Sequence, residues 1–218
     1  MRLLPLLDLT PLREHPKWIV GFSDVTMLHM ALGRLGIESL HATMPGKFRF
    51  GADEKPEAIV SDESLRSALF GRWTRIDAAA HPLNVSGTAR GRLAGGNLSL
   101  LCSAIGTPEQ PDFDTPMVLF IEEIGEQMYR LDRMMQQLER SGILAKCKAV
   151  LVGHFTDMLG QKHFGVWDPC DIIAAYVRPL GIPVVFGIPA GHEDPNVALY
   201  MGREVAVTVN DAGASVEF

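Results

Sequence analysis

Four short apolar runs constrain this chain most: residues 18–22 (Trp-Ile-Val-Gly-Phe), 117–121 (Met-Val-Leu-Phe-Ile), 149–152 (Ala-Val-Leu-Val) and 183–186 (Pro-Val-Val-Phe). Each has the length and composition of a buried strand rather than a helix. The stretches between them carry helical spacing instead. Ser23-Asp24 is followed by Val25, Met27, Leu28, Met30, Ala31, Leu32 and Leu35, a helix ending near Gly36, and Met128, Leu131, Met135 and Leu138 form a second stripe closed by Gly142. A helical stretch also covers residues 172–177, and residues 205–218 alternate as a hairpin around Asn210-Asp-Ala-Gly213. Strands alternating with helices predict an α/β protein with an antiparallel C-terminal edge.

Length and charge narrow the function. At 218 residues the chain holds one large domain or two small ones. A balance of 20 Lys and Arg against 26 Asp and Glu argues against a general electrostatic grip on nucleic acid or an anionic membrane. No apolar run reaches the roughly 18 residues that span a bilayer. The opening apolar stretch is broken by Pro5 and closed by Asp8, so it reads as mature sequence and not as a leader. Cys102, Cys147 and Cys170 fit neither a disulfide framework nor a zinc knuckle, which points to a cytoplasmic protein with buried or idle thiols. Polar stretches at residues 51–57 and 75–90 are the nearest approaches to linkers.

Three constellations carry candidate chemistry. In Gly21-Phe-Ser-Asp24 a serine sits between a strand and a helix, where it serves either as a helix cap or as a nucleophile backed by helix N-terminal amides. In Phe120-Ile-Glu-Glu-Ile-Gly-Glu126 two carboxylates follow an apolar strand, at the end where α/β proteins place their sites or where a solvated loop begins. In Ile188-Pro-Ala-Gly-His-Glu193 a histidine follows a strand and a Gly-containing turn. The order serine, carboxylate, histidine is that of α/β hydrolases. His154 and Asp157 lack a third metal ligand at a convincing spacing and read as a turn, and Gly95-Gly96 lacks the pattern of a phosphate loop.

With these segments the chain resembles the LD-carboxypeptidases, the serine peptidase family of muramoyltetrapeptide carboxypeptidases and microcin C immunity peptidases. The matching stretches are Arg2-Leu-Leu-Pro5, Gly-Phe-Ser-Asp-Val-Thr26, His41, Gly91-Arg-Leu-Ala-Gly-Gly-Asn-Leu98, Phe120-Ile-Glu-Glu-Ile-Gly-Glu126, Tyr129-Arg-Leu-Asp-Arg133, Phe155-Thr-Asp157 and Gly191-His192. The resemblance implies a triad of Ser23 as nucleophile, His192 as general base and acid, and Glu122 as the orienting carboxylate, with Glu123 in a place the family gives to Asp. It implies that Asp24 lends its backbone N–H to the oxyanion hole and that Asn97 contacts substrate. No metal or cofactor is implied. The implied reaction releases terminal D-Ala from cytoplasmic muropeptides in peptidoglycan recycling, in a homodimer. Cleavage of a peptidyl-nucleotide, as by a microcin immunity peptidase, is the alternative, as is a silent muropeptide-binding homologue.

The implied architecture is two-domain. Residues 1–74 correspond to the latter part of a parallel, Rossmann-like N-terminal domain that bears the nucleophile. Residues 75–88 form a linker, and residues 89–218 a mixed α/β C-terminal domain that carries the glutamate and the histidine. Family members have several dozen residues before Arg2-Leu-Leu-Pro5, including a Gly-rich oxyanion turn. The chain is therefore expected to lack part of the family's N-terminal domain.

Overall fold

The computed structural model describes residues 2–48, 55–112, 115–160 and 168–218. Among these residues the strands form two sheets. The smaller holds β1 (Val20–Gly21), β2 (Ser39–His41) and β8 (Leu199–Met201). β1 and β2 run parallel, joined by helix α1 (Thr26–Arg34), and β8 pairs antiparallel with β2. The larger sheet has the order β3 (Arg75–Ala79), β10 (Gly213–Glu217), β9 (Glu204–Asn210), β4 (Gly87–Asn97), β5 (Met117–Ile124), β6 (Cys147–Thr156), β7 (Val184–Phe186). β4 is the hinge of this sheet. Its first half pairs antiparallel with β9 and its second half parallel with β5, so a parallel half and an antiparallel half share one strand.

The parallel strands alternate between two cores. Met117, Leu119 and Ile121 of β5 and Val150 and Val152 of β6 face a core shared with α3 (Leu98–Ala104), α4 (Met128–Arg140) and α6 (Pro169–Val177). Val118, Phe120, Ala149 and Leu151 face the other core, with Ile188, Ala190, Val197 and Leu199. Burial on both faces is what makes these strands read as continuous apolar runs. The short α5 (Ile143–Lys146) leads directly into β6. Cys102 and Cys147 are buried and Cys170 partly so, and burial pushes all three thiols up to about 12, which suits idle thiols.

One expected linker, the stretch that begins at Arg75, proves to be structured. Arg75–Ala79 is a strand paired along its whole length with β10. A few residues later Val85 bridges Val184, and Asn84 Oδ1 accepts the Phe186 N–H at 2.8 Å. The stretch read as a linker therefore forms the strand at one edge of the larger sheet and covers the other edge, at β7, through Val85, roles its local pattern does not display. In the other stretch, residues 51–54 lie outside the described residues, and Pro56–Leu69 is helix α2. The first apolar run is also shorter as a strand than expected, since only Val20–Gly21 pairs; β2, its neighbour, is itself three residues long.

β5 and β6 fall out of step near their C-terminal ends: Ile121 faces Val152, but Glu123 faces Phe155. The extra residue on β6 is accommodated around Gly153. A Cβ there would run into the carbonyl oxygen of Ala190 and lie 2.8 Å from Phe120 Cε2. Gly153→Ala is therefore expected to lower stability by about 1–3 kcal/mol through overpacking, read as a lower midpoint in urea denaturation at an unchanged slope.

Candidate active site

Strand parity distributes the two carboxylates. Glu122 continues the face of Val118 and Phe120, and Glu123 continues the face of Leu119 and Ile121, so neighbours in sequence enter opposite cores. Glu122 has no solvent exposure, and its Oε2 lies 2.6 Å from His192 Nδ1. An ionised carboxylate only accepts, so Nδ1 carries the proton and the lone pair of Nε2 is left as the base of the ring. The other oxygen of Glu122, Oε1, is buried without a hydrogen bond among the described residues.

Glu123 performs a different task on the opposite face. Its carboxylate accepts from Asn97 Nδ2 at 2.8 Å, Ser99 N–H at 2.8 Å and Ile124 N–H at 3.0 Å. Burial pushes its pKa up, and these three hydrogen bonds pull against that shift. Asn97, expected to touch substrate, is the N-cap of α3. It is buried, and its Oδ1 accepts from Leu100 N–H and Ser99 Oγ while its amide nitrogen is committed to Glu123. Both ends of the Asn97 side chain are thus engaged within the fold, the oxygen in capping α3 and the nitrogen with Glu123.

Ser23 stands at the turn between β1 and α1, half-buried, with φ +59. A non-glycine residue in the left-handed region stores about 1–3 kcal/mol of strain, a recurrent property of functional turns. The alternative role as helix cap is not realised: the turn is capped by Phe22 and α1 by Val25, neither with a side-chain bond. The first bond of the turn runs from Val25 N–H to Phe22 O, which leaves the amides of Ser23 and Asp24 ahead of the ladder. Gly21 is needed because the turn folds back on it, and a Cβ there would lie 2.7 Å from Val25 Cγ2. The Phe22 ring meets the His192 imidazole edge-on at 5.0 Å, which brings the serine turn against the histidine. Ser23 and His192 share no hydrogen bond among the described residues.

Two further histidines brace this turn. His29 Nε2 donates to the carbonyl of Gly21 at 3.0 Å, and its Nδ1 accepts from Ser39 Oγ at 2.8 Å. A carbonyl only accepts, which fixes that tautomer. Burial holds the His29 pKa down to about 4. His41 is fully buried, its ring 5.0 Å from Phe120, and burial followed by the neighbouring His29 and His192 holds its pKa well below the ordinary value. Thr26 links the turn to the second motif: its Oγ1 accepts the Asn97 N–H at 3.0 Å, and a Cβ on Gly96 would lie 2.5 Å from that oxygen. The glycine pair is thus a point of close approach between helix and strand. Among the described residues no three His, Cys, Asp or Glu side chains are grouped to hold a metal.

An α/β fold with a paired imidazole and carboxylate at the C-terminal ends of parallel strands, facing a strained serine turn, is hydrolase-like in arrangement. The chain belongs to the LD-carboxypeptidase family: the model of its N-terminal domain matches residues 1–42 and that of its C-terminal domain residues 90–207. A Synechocystis protein named as a carboxypeptidase is 35% identical over 93% of this chain and 64% of its own length. A Bacillus subtilis protein named as a murein peptide carboxypeptidase is 32% identical over 97% of this chain and 66% of its own length. The chain thus spans a little under two thirds of these relatives. The crystal structure of muramoyltetrapeptide carboxypeptidase from Oxalobacter formigenes superimposes with a TM-score of 0.87 at 31% identity, over 99% of this chain and 72% of that one.

The buried histidines make stability depend on pH. His29 titrates at about 4 when folded and 6.5 when unfolded. The unfolded chain therefore takes up the proton first, and the stability present above pH 6.5 is lost as pH falls toward 4. His29 alone is expected to remove about 2 kcal/mol between pH 7 and pH 5. His41 and His154, both shifted down by burial, act in the same direction. Urea midpoints at the two pH values measure the effect, and His29→Gln is expected to flatten it.

Proposed function

We propose that this protein is a serine carboxypeptidase that hydrolyses the L,D-peptide bond to the terminal D-Ala of muropeptides. The observation that carries the reading is the 2.6 Å contact between His192 Nδ1 and a fully buried Glu122, set against the Phe22-Ser23 turn. Ser23 Oγ attacks the carbonyl while His192 Nε2 takes its proton. The tetrahedral oxyanion is met by backbone amides of the turn, that of Asp24 among them. His192 then returns the proton to the departing amine of D-Ala, and water, activated by the same imidazole, releases the acyl group from Ser23. Glu122 holds the tautomer and stabilises the imidazolium. In this reading residues 1–74 supply the nucleophile and residues 89–218 the histidine and glutamate. The names of the relatives support the substrate class. The reading carries with it a cytoplasmic reaction in peptidoglycan recycling and a paired state of two copies. No helix among the described residues is long and apolar enough to cross a membrane.

The test is release of D-Ala from a murein tetrapeptide, followed by amino-acid analysis. Ser23→Ala is expected to abolish it, and Glu122→Gln to slow it on the order of a hundredfold or more through loss of the imidazole's tautomer and orientation. Retained turnover in Ser23→Ala would sink the nucleophile assignment. Cleavage of a peptidyl-nucleotide with no action on the tetrapeptide would instead support the immunity-peptidase alternative.

A further inference from the structure

His192 follows a residue with unusual freedom. Gly191 has φ +145, and a Cβ on it would lie 2.9 Å from His154 Cβ, so nothing larger fits. A glycine directly before a histidine that must keep its aim leaves that aim weakly determined by the local chain. An external restraint is present. Gly191 N–H donates to Asn196 Oδ1 at 3.0 Å, which closes the segment 191–196 into a ring with His192 inside it and the exposed residues Glu193 and Asp194 at its tip. Asn196 is itself buried, and its side chain also lies against the buried imidazole of His41.

Asn196 is in turn held by α2. Its N–H donates to Ser61 Oγ at 2.8 Å, the Ser61 hydroxyl lies 3.1 Å from two acceptors, Asp194 Oδ1 and the carbonyl of Glu57, the Ala198 N–H donates to Ser64 Oγ at 3.0 Å, and Tyr200 OH donates to the carbonyl of Ala68 at 2.8 Å. The three helix positions span about 10 Å along the axis and the three positions of the extended segment about 13 Å, close enough for the two to lie side by side. Ser61, Ser64 and Ala68 are small, so the extended backbone approaches the helix closely, and all three are buried.

We propose that Asn196 is a positioning residue for His192 and that α2 sets its place through Ser61 and Ser64. The inference rests on the reading of His192 and Glu122 as catalytic partners. It is tested on the full chain with two readouts: kcat and KM for D-Ala release, and the far-downfield proton NMR signal of His192 Nδ1–H, assigned by its loss in Glu122→Gln. Asn196→Ala is expected to lower kcat about 100-fold with KM unchanged, and to broaden or remove the signal by opening it to solvent exchange. Asn196→Asp keeps the acceptor for Gly191 N–H and is expected to restore most of both. If Asn196→Ala fails to fold by circular dichroism, Ser61→Ala, one step further out, is expected to show the same pattern with about a tenfold loss. Unchanged kcat and signal in the folded variant, or no restoration by Asp, would overturn the proposal. If the native chain releases no D-Ala, the proposed function fails, and the NMR signal alone decides whether Asn196 positions His192.

Discussion

A carboxylate with no access to water depends on its partner. Glu122 lies at the end of an apolar strand, and the effective cost of burying such a charge is several kcal/mol unless a short, well-aligned hydrogen bond offsets it. His192 supplies that bond. The surroundings are shaped so that the two meet: Gly153 lets the carbonyl of Ala190 come in to accept the His154 N–H at 2.9 Å, and the absence of a side chain on Gly191 leaves room beside both His154 and Glu122 Oε2. Substituting either partner strands the other in a low-dielectric site, so the pair behaves as one unit.

The same strand end illustrates how a single residue step changes a role. Glu122 meets an imidazole, whereas Glu123, one position on, receives one amide from the first turn of a helix and the side chain of Asn97. Glu123 and Asn97 fix α3, and the Asn97 amide fixes Thr26, which begins the helix after the serine turn. The two ends of the site are thus joined by a chain of hydrogen bonds that runs through the glycine pair.

Much of this was legible in the sequence, where one cause acted locally. The runs at residues 117–121 and 149–152 are strands because burial on both faces leaves no room for polar residues, and the stripe of Met128, Leu131, Met135 and Leu138 is a helix because its spacing presents one apolar side. What escaped depended on partners distant in the chain. Helix α2 buries Ser61 and Ser64, whose hydroxyls satisfy backbone amides more than 130 residues away, so hydrophobic periodicity gives no sign of that face. Asn97 gave no local sign that its amide would be spent on Glu123, and the place of Arg75–Ala79 as an edge strand exists only once β10 is there to pair with it. The division of labour between two adjacent glutamates follows from strand parity, a rule readable from sequence only after the cores on each side are known.

The smaller sheet has a consequence in time. β2, which follows the helix behind the serine turn, takes its outer partner from Leu199–Met201, near the far end of the chain, and Glu38 and Arg203 clasp the same junction with two parallel hydrogen bonds. Pairings this distant in sequence form slowly, because the intervening chain must be ordered first. During synthesis the segment bearing Ser23 emerges long before the strand that completes its sheet and before His192. Assembly of the serine turn with His192 and with β8 therefore awaits a segment made long after the turn itself, and until then the smaller sheet lacks its outer strand.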